Sequence, residues 1–218
     1  MIRYLHPLLW LAAMATHAQA GERWAGHQVT VTTRHVPLLG DIVTRQDVYM
    51  IATAERTADG FIVDEQPCAI AIRSGAKVRL DFESAAVRRI PPVHAVWRTA
   101  PDGYRGTWAG GWDTRDVDGD GKPGLKVAVT APLCNGTMSI ATNTRFDGAA
   151  ILGAQGALEG NVSISVSRSI LDVDTTCLGL VPKRQEEVVS GKFVYVPVEA
   201  HATCTSWART SDWPAQVP

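Results

Sequence analysis

The segment Gly160–Ser169, GNVSISVSRS, carries the clearest secondary-structure pattern in the chain. Apolar side chains occupy every second position, at Val162, Ile164 and Val166, and serines lie between them. Successive side chains of a β-strand point to opposite faces, so this period of two predicts a half-buried strand. We expect the three aliphatic residues to face a core and the serines to face solvent.

The same alternation recurs in HQVTVTT at 27–33 and in LKVAVTA at 125–131. Further strand candidates are Val48–Glu55, Phe61–Asp64, Ala69–Ile72, Lys77–Glu83, Thr137–Thr142, Ala149–Leu152 and Lys192–Val198. Glycine-containing pairs separate them at Asp59-Gly60, Ser74-Gly75, Asn135-Gly136, Asp147-Gly148 and Ser190-Gly191. Such pairs favour hairpin turns, because these turns need positive φ. About ten short strands at close spacing predict an all-β antiparallel meander.

A meander of this length must protect its edge strands, and two architectures achieve this. We expect the strands to close into a β-barrel, and a two-sheet β-sandwich is the alternative. The barrel is favoured because the segment 125–158 reads as very short hairpins with small residues, as a tightly curved sheet requires.

The N-terminus has the features of an export signal. Arg3 precedes an apolar run from Leu8 to Ala15, and Ala18 and Ala20 form the small-x-small pattern that precedes a cleavage site. We expect residues 1–20 to be a signal peptide and residues 21–218 to form a single all-β domain in the periplasm or outside the cell. The apolar run is shorter than the roughly 20 residues that span a bilayer, so we expect no transmembrane anchoring.

The charges of the chain nearly balance, with 21 basic and 22 acidic residues. The sequence contains no dense basic cluster and therefore lacks the positive field that attracts nucleic acid or anionic lipid. We expect no nucleic-acid partner, and the sequence leaves the oligomeric state open.

The four cysteines, Cys68, Cys134, Cys177 and Cys204, all follow the signal peptide. An even number of cysteines in an exported chain predicts two disulfide bonds, and the absence of a CxxC pair argues against zinc. Three pairings are possible. We favour Cys177 with Cys204 and Cys68 with Cys134, because each pair closes a loop within one half of the chain or across its middle.

The segment at about 101–124, PDGYRGTWAGGWDTRDVDGDGKPG, is rich in Gly, Asp and Trp. Gly and Asp are depleted in strands, so we expect a loop here. Trp108 and Trp112 predict that this loop packs onto the core, since large aromatic side chains are rarely left in solvent.

Asp116, Asp118 and Asp120 occupy alternate positions of this loop, and Gly121 follows them. This D-x-D-x-D-G order is the one with which calcium-binding loops begin. The backbone carbonyl of Lys122 and the carboxylate of Asp113 would complete the ligand set. We predict a structural calcium ion, because three carboxylates gathered without a cation repel one another.

The first half of the loop resembles the calcium loops of dockerins and EF-hands, and the second half departs from them. An EF-hand requires a glutamate at position twelve of the loop, and this position is Val127 here. Dockerin-type loops require an acidic residue at position nine, and this position is Gly124. A hydrated turn without an ion is the alternative, and a catalytic role for the carboxylates is the third reading.

A broader resemblance rests on the signal peptide, on DVDGDGKPGLKV at 116–127 and on AAILGAQGALEGN at 149–161. These features resemble uncharacterised secreted all-β proteins of high-GC Gram-negative bacteria that carry a D-x-DGDG-x-PG loop. The resemblance covers most of the mature chain. It implies export and an all-β fold, and it implies no activity.

The sequence contains no G-x-S-x-G elbow, no H-E-x-x-H motif and no Gly-rich phosphate loop, so it identifies no catalytic residues. Three hypotheses of function follow. The first is an exported β-barrel that binds a small apolar ligand and carries a structural calcium loop. The second is a structural or interaction protein of the cell envelope, and the third is a secreted hydrolase whose carboxylates meet only in the fold.

Overall fold

The computed structural model describes residues 21–36, 40–75, 77–132, 134–207 and 213–214. The predicted signal peptide, residues 1–20, lies outside the described residues. No helix within the described part of the chain has the length and apolar character that a membrane-spanning helix requires.

The described residues form ten β-strands and one short α-helix, together with two 3₁₀ turns. The strands are β1 (Glu22–Val36), β2 (Gly40–Thr57), β3 (Gly60–Ser74), β4 (Val78–Phe82), β5 (Val93–Ala100), β6 (Gly103–Trp112), β7 (Leu125–Thr130), β8 (Gly136–Leu152), β9 (Leu158–Val173) and β10 (Arg184–Pro197). The helix α1 is Ser84–Val87 and lies between β4 and β5.

All ten strands are antiparallel and belong to one sheet. Eight of them close into a ring in the order β2-β1-β10-β9-β8-β6-β5-β3, because β3 also pairs with β2. The prediction of an all-β antiparallel fold is confirmed. The closed ring gives a barrel-like architecture, in which each of these eight strands pairs with a neighbour on both sides.

Between the long strands β3 and β8, the wall of this ring consists of two separate branches. Strands β5 and β6 bridge them at one end, and strands β4 and β7 bridge them at the other. Helix α1 and the connection 113–124 join the two branches. Val87 of α1 and Val117 of the connection pack with Leu125, so both segments close the gap between the branches.

The alternation in β9 is confirmed. Val162 and Ile164 are buried and Val166 packs against the same cluster, whereas Ser163 and Ser165 are exposed. The sequence pattern was sufficient here because the inner face of the sheet is apolar at this level of the ring.

Several strands are much longer than the short strands predicted from sequence. Strand β8 has 17 residues and β10 has 14, so the turns predicted at Asp147-Gly148 and Ser190-Gly191 are wrong. Gly148 pairs with Gly106 and with Val162 on the neighbouring strands, and this strand position requires a glycine because a side chain has no space there. A Cβ there would lie 2.6 Å from the Phe146 ring and 2.8 Å from that of Trp97.

The loop predicted at about 101–124 is also shorter than expected, since Gly103–Trp112 is strand β6. Gly106 pairs with Trp97 of β5, and any side chain at 106 would overlap the Trp97 indole. The glycine therefore makes room for a tryptophan on the neighbouring strand. From composition alone, this glycine favours a loop.

Aromatic side chains fill one end of the ring, which we call the closed end. Their ring centroids lie 4.9–6.1 Å apart, within the range of favourable aromatic contacts. The cluster contains Trp24, Phe61, Trp97, Tyr104, Trp108, Phe146, Phe193 and Tyr195.

The four cysteines form two disulfide bonds, as predicted, but the predicted pairing is wrong. The bonds join Cys68 to Cys204 and Cys134 to Cys177. Cys134 follows β7 and Cys177 follows β9, and both strands pair with the same end of β8. Cys68 lies on β3, where it packs with the segment that follows β10. Two disulfides indicate an oxidising environment.

Candidate functional site: a cavity inside the ring

A cavity of about 120 Å³ lies inside the ring beside the closed end. Most of its wall is aliphatic or aromatic, including Val48, Ile70, Phe82, Trp108, Ile164 and Val189. A cavity of about 150 Å³ is known to bind benzene, so this one has room for a ligand of about five or six heavy atoms.

A second hollow, of about 480 Å³, lies at the opposite end of the ring and shares part of its wall with the cavity. Arg168 and Glu187 line both spaces, and their side chains form an ion pair at 3.5 Å. Both side chains are about one-fifth exposed. This pair therefore lies at the boundary between the cavity and the wider hollow, and we call this boundary the neck.

Glu65 is the main polar group of the cavity. It lies on β3 at a position that alternates with the buried Phe61 and Val63, and its relative exposure is 4%. Its Oε1 atom has no hydrogen-bond partner among the described residues. Burial raises the pKa of this carboxyl to about 7, although a hydrogen bond with Tyr195 acts in the opposite direction.

Tyr195 supports Glu65 from β10. Its phenol is buried, and burial together with the nearby Glu65 raises its pKa well above the usual value. The Tyr195 hydroxyl interacts with the Glu65 carboxyl, and it also lies 3.0 Å from Sδ of Met50, to which it can donate its one proton. Glu65 therefore has Tyr195 beside its carboxyl, and its Oε1 atom has no donor among the described residues. An unmade hydrogen bond of this kind costs about 1–3 kcal/mol.

Two further polar atoms of the wall are buried without a partner in the described structure. They are Oγ1 of Thr142 on β8 and Nε1 of Trp108 on β6. Gln28 and Gln46 add two side-chain amides to the lining. An apolar pocket with a few convergent polar groups and a perturbed pKa is the usual form of a small-molecule site.

The aspartates that the sequence predicted as metal ligands do come together. One carboxylate oxygen from each of Asp116, Asp118 and Asp120 lies within 4.8 Å of the other two. Such a cluster could hold a metal ion. Asp113 lies outside this group, and its carboxylate instead accepts hydrogen bonds from the backbone and side chain of Arg115.

The loop also satisfies these carboxylates with its own donors. Asp116 accepts backbone hydrogen bonds from Gly119, Asp120 and Gly121, which lower its pKa. Asp118 accepts one from the backbone of Lys126. Gly119 and Gly121 have φ of 75° and 83°, the left-handed conformation that lets the chain turn its amides toward Asp116.

The two lysines of the loop pair with acidic groups as well. Lys126 Nζ lies 3.1 Å from Asp120, and Lys122 Nζ lies 2.7 Å from Asp172 on β9. The Lys122 carbonyl stays a predicted ligand, since only the contacts of its side chain and amide are defined.

A buried histidine on the outer face of the ring resembles part of a catalytic dyad. His27 Nε2 lies 3.0 Å from Asp47 Oδ1, and His27 Nδ1 lies 3.0 Å from the carbonyl of Pro214. Arg45 also binds Asp47 through two nitrogens. Both ring nitrogens of His27 and both carboxylate oxygens of Asp47 have partners, so we interpret this group as a clamp that holds the C-terminal segment against β1 and β2.

Sequence reasoning missed Glu65. The signal was present in FIVDEQP at 61–67, where Glu65 takes the third position of an otherwise apolar face formed by Phe61, Val63 and Pro67. A lone carboxylate on the inner face of a strand is costly to bury, and this makes it a candidate for function.

Comparison with known proteins gives no further assignment: no family model, no curated protein and no solved structure matches the chain. The site is therefore interpreted from its own geometry.

Proposed function

We propose that this protein binds a small, mainly apolar ligand inside the ring of eight strands. The observation that carries the proposal is a 120 Å³ cavity with apolar walls, into which a buried carboxyl with one unpartnered oxygen is placed. A protein selected only for stability gains more from an apolar residue at this position, because a buried unpaired carboxyl costs free energy.

The shape of the ring supports the same proposal. Aromatic packing blocks the closed end, and the 480 Å³ hollow at the other end leads to the cavity past Arg168 and Glu187. A ligand would enter through this neck. Barrels of about eight strands commonly have an interior that holds one small ligand.

Methyl NMR with 1-butanol tests this proposal. We expect the methyl signals of Ile70, Ile164 and Val189 to shift in a saturable way as the alcohol is added. Val166→Phe fills the cavity and should abolish the shifts, whereas Ser165→Phe on the exposed face of the same strand should leave them unchanged. Saturable shifts that persist in Val166→Phe, or no shifts in the wild type, would contradict binding in the cavity.

We also propose that the aspartate loop binds calcium and that the ion is structural. Three carboxylate oxygens within 4.8 Å suit a hard cation, and the loop packs through Val117 against the cluster that closes the gap between the two branches of the wall. Bound calcium would displace Lys126 from Asp120 and stiffen this wall. The ion would have no contact with the ligand.

Export to the periplasm or the cell exterior completes the proposal. Two disulfides support it, and strand β1 begins at Glu22, just after the predicted cleavage site at Ala20. The envelope interaction protein and the secreted hydrolase stay predictions, since no contact in the described part of the chain favours either one.

A further inference from the structure

The geometry points to a cationic ligand: we propose that the cavity binds a small aliphatic amine, with its ammonium group on the carboxylate of Glu65. This inference rests on the proposed function and names the chemical class of its ligand. It follows from the charges of the cavity wall and from the carboxylate oxygen of Glu65 that has no hydrogen-bond partner among the described residues.

The charge balance of the wall is the first argument. Among the lining residues that the structure describes, three are ionisable, namely Glu65, Arg168 and Glu187. Arg168 and Glu187 form an ion pair with each other, which leaves the ionised form of Glu65 without a counter-charge. A ligand that carries one positive charge neutralises the cavity.

The hydrogen-bonding position of Glu65 is the second argument. An ionised carboxylate only accepts hydrogen bonds, and Oε1 has no donor from the described protein. An ammonium group supplies up to three donors and the opposite charge, and such charge-assisted bonds are about twice as strong as neutral ones. A carboxylate ligand would meet repulsion at the same place.

The apolar wall sets the size of the ligand body. The cavity of 120 Å³ accommodates a short aliphatic chain against Ile70, Ile164 and Val189. The tryptophans of the wall add aromatic surface, which also favours cations. A longer chain would extend through the neck toward the wider hollow.

The experiment compares three probes of nearly equal size: butylamine, 1-butanol and butanoate. We expect wild-type protein at about pH 8 to bind butylamine about tenfold or more tighter than 1-butanol, and to bind butanoate more weakly than either. In Glu65→Gln the preference for the amine should disappear while 1-butanol still binds. Glu55→Gln, which changes an exposed carboxyl on β2, should keep the wild-type preference.

The dependence of affinity on pH gives a second readout. Butylamine stays protonated up to about pH 10, so its affinity should rise as Glu65 ionises between about pH 6 and 8 and then level off. The titratable groups that face Glu65 are Tyr195, which stays protonated in this range, and the Arg168–Glu187 pair at the neck. Binding of 1-butanol should not rise over this range, and Glu65→Gln should remove the rise for the amine.

The outcomes separate the two proposals. Equal affinity for amine and alcohol, or an amine preference that survives Glu65→Gln, overturns the cationic ligand and leaves the binding barrel in place. Tighter binding of butanoate also overturns it and makes Arg168 the anchor. If none of the three probes shifts the cavity methyls, both the cationic ligand and the binding function are wrong.

Discussion

Two buried carboxyl groups on neighbouring strands have opposite surroundings. Asp47 lies on the outer face of β2 and is 6% exposed, and Glu65 lies on the inner face of β3 and is 4% exposed. Burial alone would raise the pKa of Asp47, but hydrogen bonds from His27 and Arg45 outweigh it and hold that pKa far below its usual range. Burial raises the pKa of Glu65 to about 7, because Tyr195 supplies the single opposing hydrogen bond.

The difference shows which buried acid serves the fold and which one is open to a ligand. Asp47 is paired with the groups that hold the C-terminal segment, so its charge is used within the protein. Glu65 keeps an unpartnered oxygen in a cavity. The extent of burial therefore does not distinguish a structural carboxyl from a binding one. The unmade hydrogen bond of Glu65 is the observation that indicates binding.

The largest expected effect is the loss of Asp47. Asp47→Asn removes the charge that His27 and Arg45 share, and breaking a buried pair costs about 3–5 kcal/mol. We expect urea denaturation near neutral pH to show a loss of about 3 kcal/mol. Because the folded pKa of Asp47 is depressed, its contribution is present above the unfolded value of about 3.9 and declines as the pH falls below it. Asp147→Asn, at an exposed position on β8, is the control and should leave the stability nearly unchanged.

Neutralising Glu65 should raise the stability of the protein near neutral pH, whereas the loss of Asp47 lowers it. The folded pKa of about 7 lies above the unfolded value, so the neutral form is favoured in the fold. This contribution to stability is complete below the unfolded value of about 4.5 and is lost as the pH rises through about 7, a total of about 3 kcal/mol. Glu65→Gln should remove this decline and be the more stable protein at about pH 8. Parallel stability curves for the wild type and the variant from pH 4 to 8 would show that Glu65 is solvated or paired.

Removing the one donor of Glu65 should have a smaller effect. Tyr195→Phe deletes the hydroxyl that bonds the carboxyl, and we expect a loss of about 1–2 kcal/mol at about pH 8, where Glu65 is ionised. The loss should be smaller at about pH 5, where Glu65 is neutral. In the double variant with Glu65→Gln, the dependence of this loss on pH should vanish. Denaturation of the four proteins at the two pH values measures this coupling.

Calcium should have the smallest effect on stability. The loop already supplies donors to its carboxylates, so the ion replaces contacts that exist. With an affinity in the range of extracellular modules, about 2 mM calcium should raise the melting temperature by about 1–7 °C relative to chelator. Asp118→Ala should abolish this difference. Identical melts of wild-type protein in calcium and in chelator would make the loop a hydrated turn.

The sequence predicted the all-β fold and the inner face of β9 because alternation and burial coincide there. It failed where side chains from distant strands decide the outcome. The sequence predicts a loop at Gly106 and a turn at Gly148, yet both lie in strands, where the missing side chain leaves room for the Trp97 ring. The disulfide pairing depends on which strands flank β8, and local spacing does not contain this information.

The site was harder to predict than the fold for a related reason. The aspartate loop is local in sequence, so its cluster of carboxylates could be predicted from spacing alone. The cavity is assembled from most of the strands of the sheet, and Glu65 becomes a candidate only when closure of the ring places it opposite Tyr195 and Trp108. The acidic residue at an inward position of β3 was the one available signal.

The most direct test of the account is a ¹³C NMR titration of the glutamate side-chain carboxyls, with Glu65 assigned by its absence in Glu65→Gln. We predict that Glu65 titrates near pH 7 and that saturating butylamine moves its midpoint downward, since the ammonium group stabilises the ionised form. A midpoint near the ordinary value of about 4.3, unchanged by butylamine, would contradict it, because Glu65 would then be neither buried without a partner nor the ligand's anchor.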